Sequence, residues 1–212
     1  MSEAAWSARA EAYVESDAHR EGQDLDQLVA WAAGARTALD VATGGGHVAR
    51  RLRKAGLEVV TTDSAPGMRP DVVSRAESLP FADGAFDVVV CRTAAHHFAD
   101  VRAAVREMAR VSRDRVLIVD TLHMGDAVEE AEALRDPSHV RNYTEAEWRG
   151  FLEEAGLSIE AVRGFPHSFD LAAWLERTGC EGETAERVEE LLGERVSEGR
   201  LTLDKVAIRS VR

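Results

Sequence analysis

Apolar positions along the chain fall into short runs separated by segments of helical spacing. Residues 38–42, Ala-Leu-Asp-Val-Ala, form one such run and break into Thr43-Gly44-Gly45-Gly46, the pattern of a buried strand that ends in a tight turn. Residues 47–55 favour helix, and the β-branched stretch 57–62 predicts the next strand, ending at Asp63. A short strand is expected at 71–74. A clear buried strand follows at 86–91, after the turn Ala82-Asp83-Gly84. Val101, Val105 and Met108 recur at helical spacing, and 115–121 supplies a further strand. Ahead of this series, residues 4–16 and 24–33 read as helices, the second stopped by Gly34.

Beyond it, helices are predicted at 127–134 and 144–155, where Thr144-Glu145-Ala146-Glu147 is a start signal. Then come a strand at 157–162, helices at 170–177 and 184–196, and a closing strand at 201–211. This alternation implies an α/β fold with a parallel sheet wrapped by helices. With 212 residues, no repeats and no linker, a single domain is expected.

Gly44, Gly46 and Ala49 satisfy G-x-G-x-x-G/A directly after a predicted strand, where small residues let the backbone turn tightly and approach a cofactor. Asp63 lies 19 residues after Gly44, at the end of the next strand, where a carboxylate can accept ribose hydroxyls. Asp40, four residues before Gly44, decides between cofactors. A carboxylate there opposes the pyrophosphate of a dinucleotide, but pairs directly or through water with the α-ammonium of a methionine moiety. The loop has no lysine, so it suits S-adenosylmethionine better than NAD.

Composition narrows the partners. A formal net charge of −12 argues against nucleic acid, whose binders need a basic face. Only Lys54 and Lys205 are lysines among 26 basic residues, which reads as a coding bias towards arginine. Cys91 and Cys180 are too few for a disulfide framework and have no metal-site spacing, which suits a reducing interior. No stretch has the length of a membrane span and residues 1–30 lack a signal pattern, so a cytoplasmic protein, monomer or homodimer, is expected.

The run Leu39-Asp40-Val41-Ala42-Thr43-Gly44-Gly45-Gly46 resembles the glycine motif of class I S-adenosylmethionine-dependent methyltransferases. The likeness extends through Ala76-Glu77-Ser78-Leu79-Pro80-Phe81, residues 86–92 and His96-His97-Phe98, and it is similar to the methyltransferase type 11, or ubiquinone/menaquinone-biosynthesis-like, group. The resemblance covers roughly residues 10–160. It implies a Rossmann-like, mostly parallel seven-stranded sheet with helices on both faces and an antiparallel last strand. It also implies that the Asp40–Gly46 loop, with Ala42, Thr43 and Gly44, holds the methionine part and Asp63 the ribose. Ser64 and Met68 would flank the adenine, Ala76 and Glu77 would edge it, and the backbone near Cys91 and Arg92 would close the site.

Three departures stand out. Arg75 occupies a position where relatives usually carry Asp, so recognition of the adenine amine falls to Glu77, backbone or water. Only seven residues separate Asp63 from Asp71, and Pro66-Gly67-Met68-Arg69-Pro70 cannot form the usual helix, so one sheet face should be thinly covered. Ser112-Arg113-Asp114 replaces the usual turn before the fifth strand.

Methyl transfer from a sulfonium is an in-line displacement in which the protein orients the nucleophile and excludes water. A small-molecule acceptor is expected, with O- or C-methylation the leading chemistries and S-adenosylhomocysteine as product. His96 and His97 follow the fourth strand at the carboxyl edge of the sheet and are the leading base candidates, although either could instead pack or cap the next helix. His139 and Arg141 either line the acceptor pocket or anchor a loop. Tyr13, Ser16 and His19 are candidates for an N-terminal helical lid over 1–33, with Tyr13 and His19 expected to contact the substrate, and 122–155 is expected to be a substrate-side helical insertion. Trp6, Trp31, Trp148 and Trp174 are read as core. Histidine spacing gives no metal motif. Two other readings stay open: an NAD(P)-dependent oxidoreductase, and a non-enzymatic binding protein on the same fold.

Overall fold

The computed structural model describes Ser7 and residues 20–212; Trp6, Tyr13, Ser16 and His19, and the helix expected over 4–16, lie outside the described residues. Strand β1 (Thr37–Val41) pairs in parallel with β2 (Glu58–Asp63) on one side and with β4 (Phe86–Arg92) on the other. β2 carries the two-residue β3 (Val72–Val73), and β4 pairs in parallel with β5 (Ser112–Thr121). The long β8 (Arg200–Val211) then enters between β5 and β6 (Ser158–Asp170), antiparallel to both. The sheet order is β3-β2-β1-β4-β5-β8-β6, with β7 (Val196–Ser197) paired to β8. The expected antiparallel last strand is present, and among the described residues the sheet has eight strands instead of seven because β7 folds back on β8.

Alternate residues of the central strands enter two different cores, as the two-residue period of a strand requires. Leu39, Val41, Val89, Cys91, Val116 and Ile118 face helices α3 (Val101–Val111) and α5 (Glu145–Glu154). Ala38, Val88, Val90, Leu117 and Val119 face α1 (Gln23–Trp31) and α2 (His47–Lys54), where Leu25, Leu28, Val48 and Leu52 fill the gap. A third cluster lies beyond the main sheet, where Val128 and Ala131 of α4 (Asp126–Arg135) meet Leu171, Trp174 and Leu175 of α6 (Leu171–Glu176). Val188 and Leu192 of α7 (Gly182–Leu192) and Leu201 and Leu203 of β8 complete it. Trp148 and Trp174 are buried as expected, and Trp31 is half-buried.

Several boundaries differ from the sequence pattern. β6 runs to Asp170, well past 162, because β8 offers pairing partners along its whole length, down to Asp170 opposite Arg200. The helix expected to reach 196 ends at Leu192, where Gly193 takes φ 51° and opens the turn into β7. Ser112–Asp114 form no turn; they belong to β5, with an irregular register opposite Phe86–Val88. The link from β2 to β3 holds only a 3₁₀ turn, Pro66–Met68, and Val73 stays 55% exposed, so that edge is as thin as expected. Among the described residues, no helix is long and apolar enough to cross a membrane.

α5 starts with a full capping box: Glu147 N–H donates to Thr144 Oγ1 at 3.2 Å and Thr144 N–H donates to Glu147 Oε2 at 2.9 Å. This fixes the helix that buries Trp148, Phe151 and Leu152. Thr144→Ala is expected to lower the free energy of unfolding by about 1 kcal/mol. The change is read as a lower urea midpoint at unchanged slope, and an unmoved midpoint would show that the box does not hold the helix start.

Candidate active site

A cavity of about 210 Å³ opens at the carboxyl ends of β1, β2 and β4, the crevice where open α/β sheets bind ligands. Two sharp turns create it. Ala42 after β1 and Thr93 after β4 take left-handed φ values of 55° and 53°, strained for non-glycine residues, and so turn the chain away from the sheet. Gly44 and Gly46 continue the first turn at φ 50° and 72°, and Gly46 sits at the N-cap of α2.

Two carboxylates organise this turn. Asp40 is buried, and its Oδ2 accepts Thr43 Oγ1–H at 2.6 Å and Ala49 N–H at 3.1 Å, tying the strand end to the start of α2. Burial pushes its carboxyl up to about 6, against the pull of these donors, and the nearby charge of Asp63 adds to the rise. Asp63 accepts Gly44 N–H on Oδ2 at 3.0 Å and Ala65 N–H on Oδ1 at 2.9 Å. Burial raises it too, and the backbone donors restrain the shift. Backbone amides of Gly44, Ser64 and Ala65 all act on the Asp63 carboxylate, whose roughly four acceptor sites leave room for a further donor such as a ribose hydroxyl.

Of the residues expected to hold the cofactor, Asp40, Ala42, Thr43, Gly44, Asp63, Ser64, Met68, Ala76, Glu77 and Arg92 all line this cavity. Gly46 does not; it caps α2. Cys91 does not either, because the strand period turns its side chain into the core, where burial drives the thiol well above its ordinary value. Arg92 reaches the cavity wall, but its guanidinium is taken by buried Asp24, with Nε donating at 2.9 Å and Nη2 at 3.2 Å. Arg75 also lines the cavity, 3.3 Å from Glu77, so the carboxylate expected at the adenine edge faces a cation. His47, Thr93 and Phe98 are lining residues that the sequence reading missed. Thr93 had a usable signal, its place directly after the fourth strand.

A second cavity of about 60 Å³ shares Thr93 and His97 with the first. Lys205 of β8 lines it, buried, donating to Thr93 Oγ1 at 3.1 Å and lying 3.5 Å from Asp24 Oδ2. Burial lowers this lysine to about 8, although the Asp24 charge opposes the fall. His96 lines only the second cavity. Its Nδ1–H donates to Asp120 Oδ1 at 2.6 Å and its backbone N–H to Asp120 Oδ2 at 3.0 Å. Burial opposes a charge on His96, yet the Asp120 carboxylate outweighs it and raises the imidazole. His97 Nδ1 lies 3.1 Å from the Ser138 carbonyl and 3.2 Å from Ser138 Oγ, and the carbonyl, which only accepts, favours a proton on Nδ1. Burial, reinforced by His96 at a ring distance of 4.1 Å, holds His97 well below a free imidazole.

His139 and Arg141 line neither cavity. His139 Nε2 pairs with Glu129 at 3.0 Å and Arg141 pairs with Glu147 at 2.6 Å, so the two anchor the loop between α4 and α5. Although histidine spacing gave no metal motif, the fold gathers donors of Glu129, Glu132 and His139 within 4.8 Å of one another. Hydrogen bonds inside the group knit it together, including those from Asn142 to both glutamates.

A strand-end crevice with a glycine turn and paired carboxylates defines a class of nucleoside-binding α/β enzyme, and comparison with known proteins names the class. The Methyltransferase domain family, Methyltransf_11, matches residues 39–119. The uncharacterized methyltransferase YcgJ of Bacillus subtilis (strain 168) is 32% identical over 211 residues, covering 88% of this chain and 83% of that protein. Its crystal structure superposes with a TM-score of 0.79 at 27% identity, covering 89% of this chain and 97% of that one. The structure of the BH2331 protein of Bacillus halodurans C-125 gives 0.77 at 28%, covering 90% and 99%. The demethylmenaquinone methyltransferase of Renibacterium salmoninarum is 28% identical over 172 residues, covering 72% of this chain and 71% of that protein. The chain is a class I S-adenosylmethionine-dependent methyltransferase. Within that class it belongs to the Methyltransf_11 family.

Two outcomes are expected. Asp63→Ala should weaken S-adenosylhomocysteine binding by about 1.5–3 kcal/mol, the range for hydrogen bonds to a charged group, and an unchanged dissociation constant by calorimetry would remove Asp63 from the site. Asp40 meets a cationic ligand only when ionised, so affinity should be full above its pKa of about 6 and fall as pH drops through that value. Titration between pH 7.5 and 5 checks this, with Asp40→Asn flattening the dependence.

Proposed function

We propose that this protein transfers a methyl group from S-adenosylmethionine in the larger cavity to a small nucleophilic acceptor in the smaller one, as an O- or C-methylation. The observation that carries this reading is the shared wall: the two cavities meet at Thr93 and His97. The larger cavity suits a phosphate-free cationic nucleoside, since Asp40, Asp63 and Glu77 line it and its arginines are engaged, Arg92 with Asp24 and Arg75 with Glu77. That charge pattern leaves an NAD(P) pyrophosphate poorly served. When bound, S-adenosylmethionine supplies an electrophilic methyl on a sulfonium; the acceptor–carbon bond forms as the carbon–sulfur bond breaks, and its electron pair stays on sulfur.

The protein's own residues orient the acceptor and handle its proton. His97 is the candidate base, because it stands in the wall that the two cavities share and its ring stays neutral there. Its low basicity suits removal of a proton late in transfer, when the partly methylated acceptor is most acidic. His96, fixed by Asp120 through side chain and backbone, is a positioning residue that sets the His97 turn. The 122–155 segment divides between two tasks: α4 brings Glu132 and Arg135 to the smaller cavity, whereas α5 buries its aromatic face in the core. A net charge of −12 favours a small-molecule acceptor over nucleic acid.

Turnover of S-adenosylmethionine against a panel of small phenols, quinols and thiols, followed by mass spectrometry of product, tests the reading. Methylated product is expected, and tight S-adenosylhomocysteine binding without product from any acceptor would leave a binding protein instead. With an accepted substrate, His97→Ala should lower kcat by about 100-fold or more, the lower end of general-base contributions, at unchanged cofactor affinity. Equal losses in both would place His97 in structure rather than in proton transfer.

A further inference from the structure

We infer that the acceptor carries an oxyanion, a carboxylate or a phosphate, on a small flat apolar body. The inference rests on the smaller cavity being the acceptor site. Arg135 at the end of α4, Arg177 just past α6 and Lys205 in β8 all line that recess, and Glu132 is the only carboxylate among its described lining residues. Burial raises Glu132, which weakens its hold on a negative charge. Asp24, behind the wall, already shares its charge between Arg92 and Lys205.

Three cations from elements far apart in sequence thus converge on one recess of a chain whose net charge is −12 and which has only two lysines. Each also has partners in the fold, so a ligand joins an existing network. Arg135 donates Nε–H to the Trp174 carbonyl at 3.0 Å and stacks 4.2 Å over the Trp174 ring, which holds its guanidinium fork in place. Lys205 donates to Thr93. A forked guanidinium matches the paired oxygens of a carboxylate or phosphate. Phe169 and Trp174, with ring centroids 6.3 Å apart, supply the apolar surface. A cavity of about 60 Å³ accommodates roughly 4–6 water-sized positions at about 10–15 Å³ each, which limits the enclosed part of the acceptor to a small group.

The test uses the full chain saturated with S-adenosylhomocysteine and titrated calorimetrically with benzoate, phenyl phosphate and neutral benzamide. At least one anion is expected to bind roughly tenfold or more tightly than benzamide, the scale of one charge-assisted hydrogen bond. The tighter of the two names the oxyanion. Arg177→Gln and, separately, Arg135→Gln should each remove about that factor for the anion while leaving benzamide and S-adenosylhomocysteine unchanged. Arg135 and Arg177 are both half-buried, and the Arg177 variant leaves the Arg135–Trp174 stack in place, so it carries the test if Arg135→Gln unfolds. Equal binding of benzamide, no binding of any of the three, or anion affinity untouched in both variants overturns the inference. Failure of the wild-type chain to bind S-adenosylhomocysteine overturns the methyl-transfer reading instead, and the two failures are distinct.

Discussion

Asp24, Arg92 and Lys205 form a charge cluster sealed beneath the carboxyl edge of the sheet, with all three side chains only 3–4% exposed. Taking such ions out of water costs several kcal/mol each, and the cost is offset only when partners and hydrogen bonds are well placed. Asp24 comes from α1, Arg92 from β4 and Lys205 from β8, so satisfying the cluster locks three elements together that are remote in sequence. The two cations border different cavities. Arg92 stands in the wall of the larger cavity and Lys205 in that of the smaller, and the one carboxylate between them holds both.

Around this partition the charge balance differs: the larger cavity is lined by three carboxylates and two arginines that are already ion-paired, the smaller by three cations and Glu132. The larger cavity collects Asp40, Asp63 and Glu77, a set that favours a cation. The smaller collects Arg135, Arg177 and Lys205. A sulfonium nucleoside and an anionic acceptor would each meet the opposite sign, and their own charges would attract across the shared wall. Low exposure strengthens these interactions, since water screens them little. The same burial keeps neighbouring histidines in different states: Asp120 raises His96, while burial and His96 itself lower His97.

Two of the four left-handed non-glycine residues among those described stand at the larger cavity; Arg69 and Glu198 are the others. Ala42 and Thr93 end the two central strands in left-handed conformations, and both border the larger cavity. Asp40 holds the first turn through Thr43 and Ala49, and Lys205 holds the second through Thr93 Oγ1. The tight core beneath, with Leu39, Val41, Val89 and Val90 almost fully buried, supplies the rigidity that such turns need.

Ser64, Met68, Ala76 and Glu77 came from the family resemblance alone, whereas the glycine turn, Asp40 and Asp63 were legible in the chain because each depends on short-range spacing: a strand end, a turn, a fixed distance to the next strand. The alternation of elements and the thin β2–β3 edge were legible for the same reason, since hydrophobic period and proline act locally. What tertiary structure alone decided is the second cavity and the fate of its neighbours. Lys205 looked like a relic of composition until β8 inserted between β5 and β6 and carried it under Thr93. Arg135 and Arg177 face the same recess only because α4 and α6 share the third hydrophobic cluster. His139 and Arg141, plausible by position, were drawn to Glu129 and Glu147 instead. Local pattern fixes where a strand ends and what its turn can hold; which distant side chains meet there is set by packing free energy summed over the whole fold, which no short window of sequence contains.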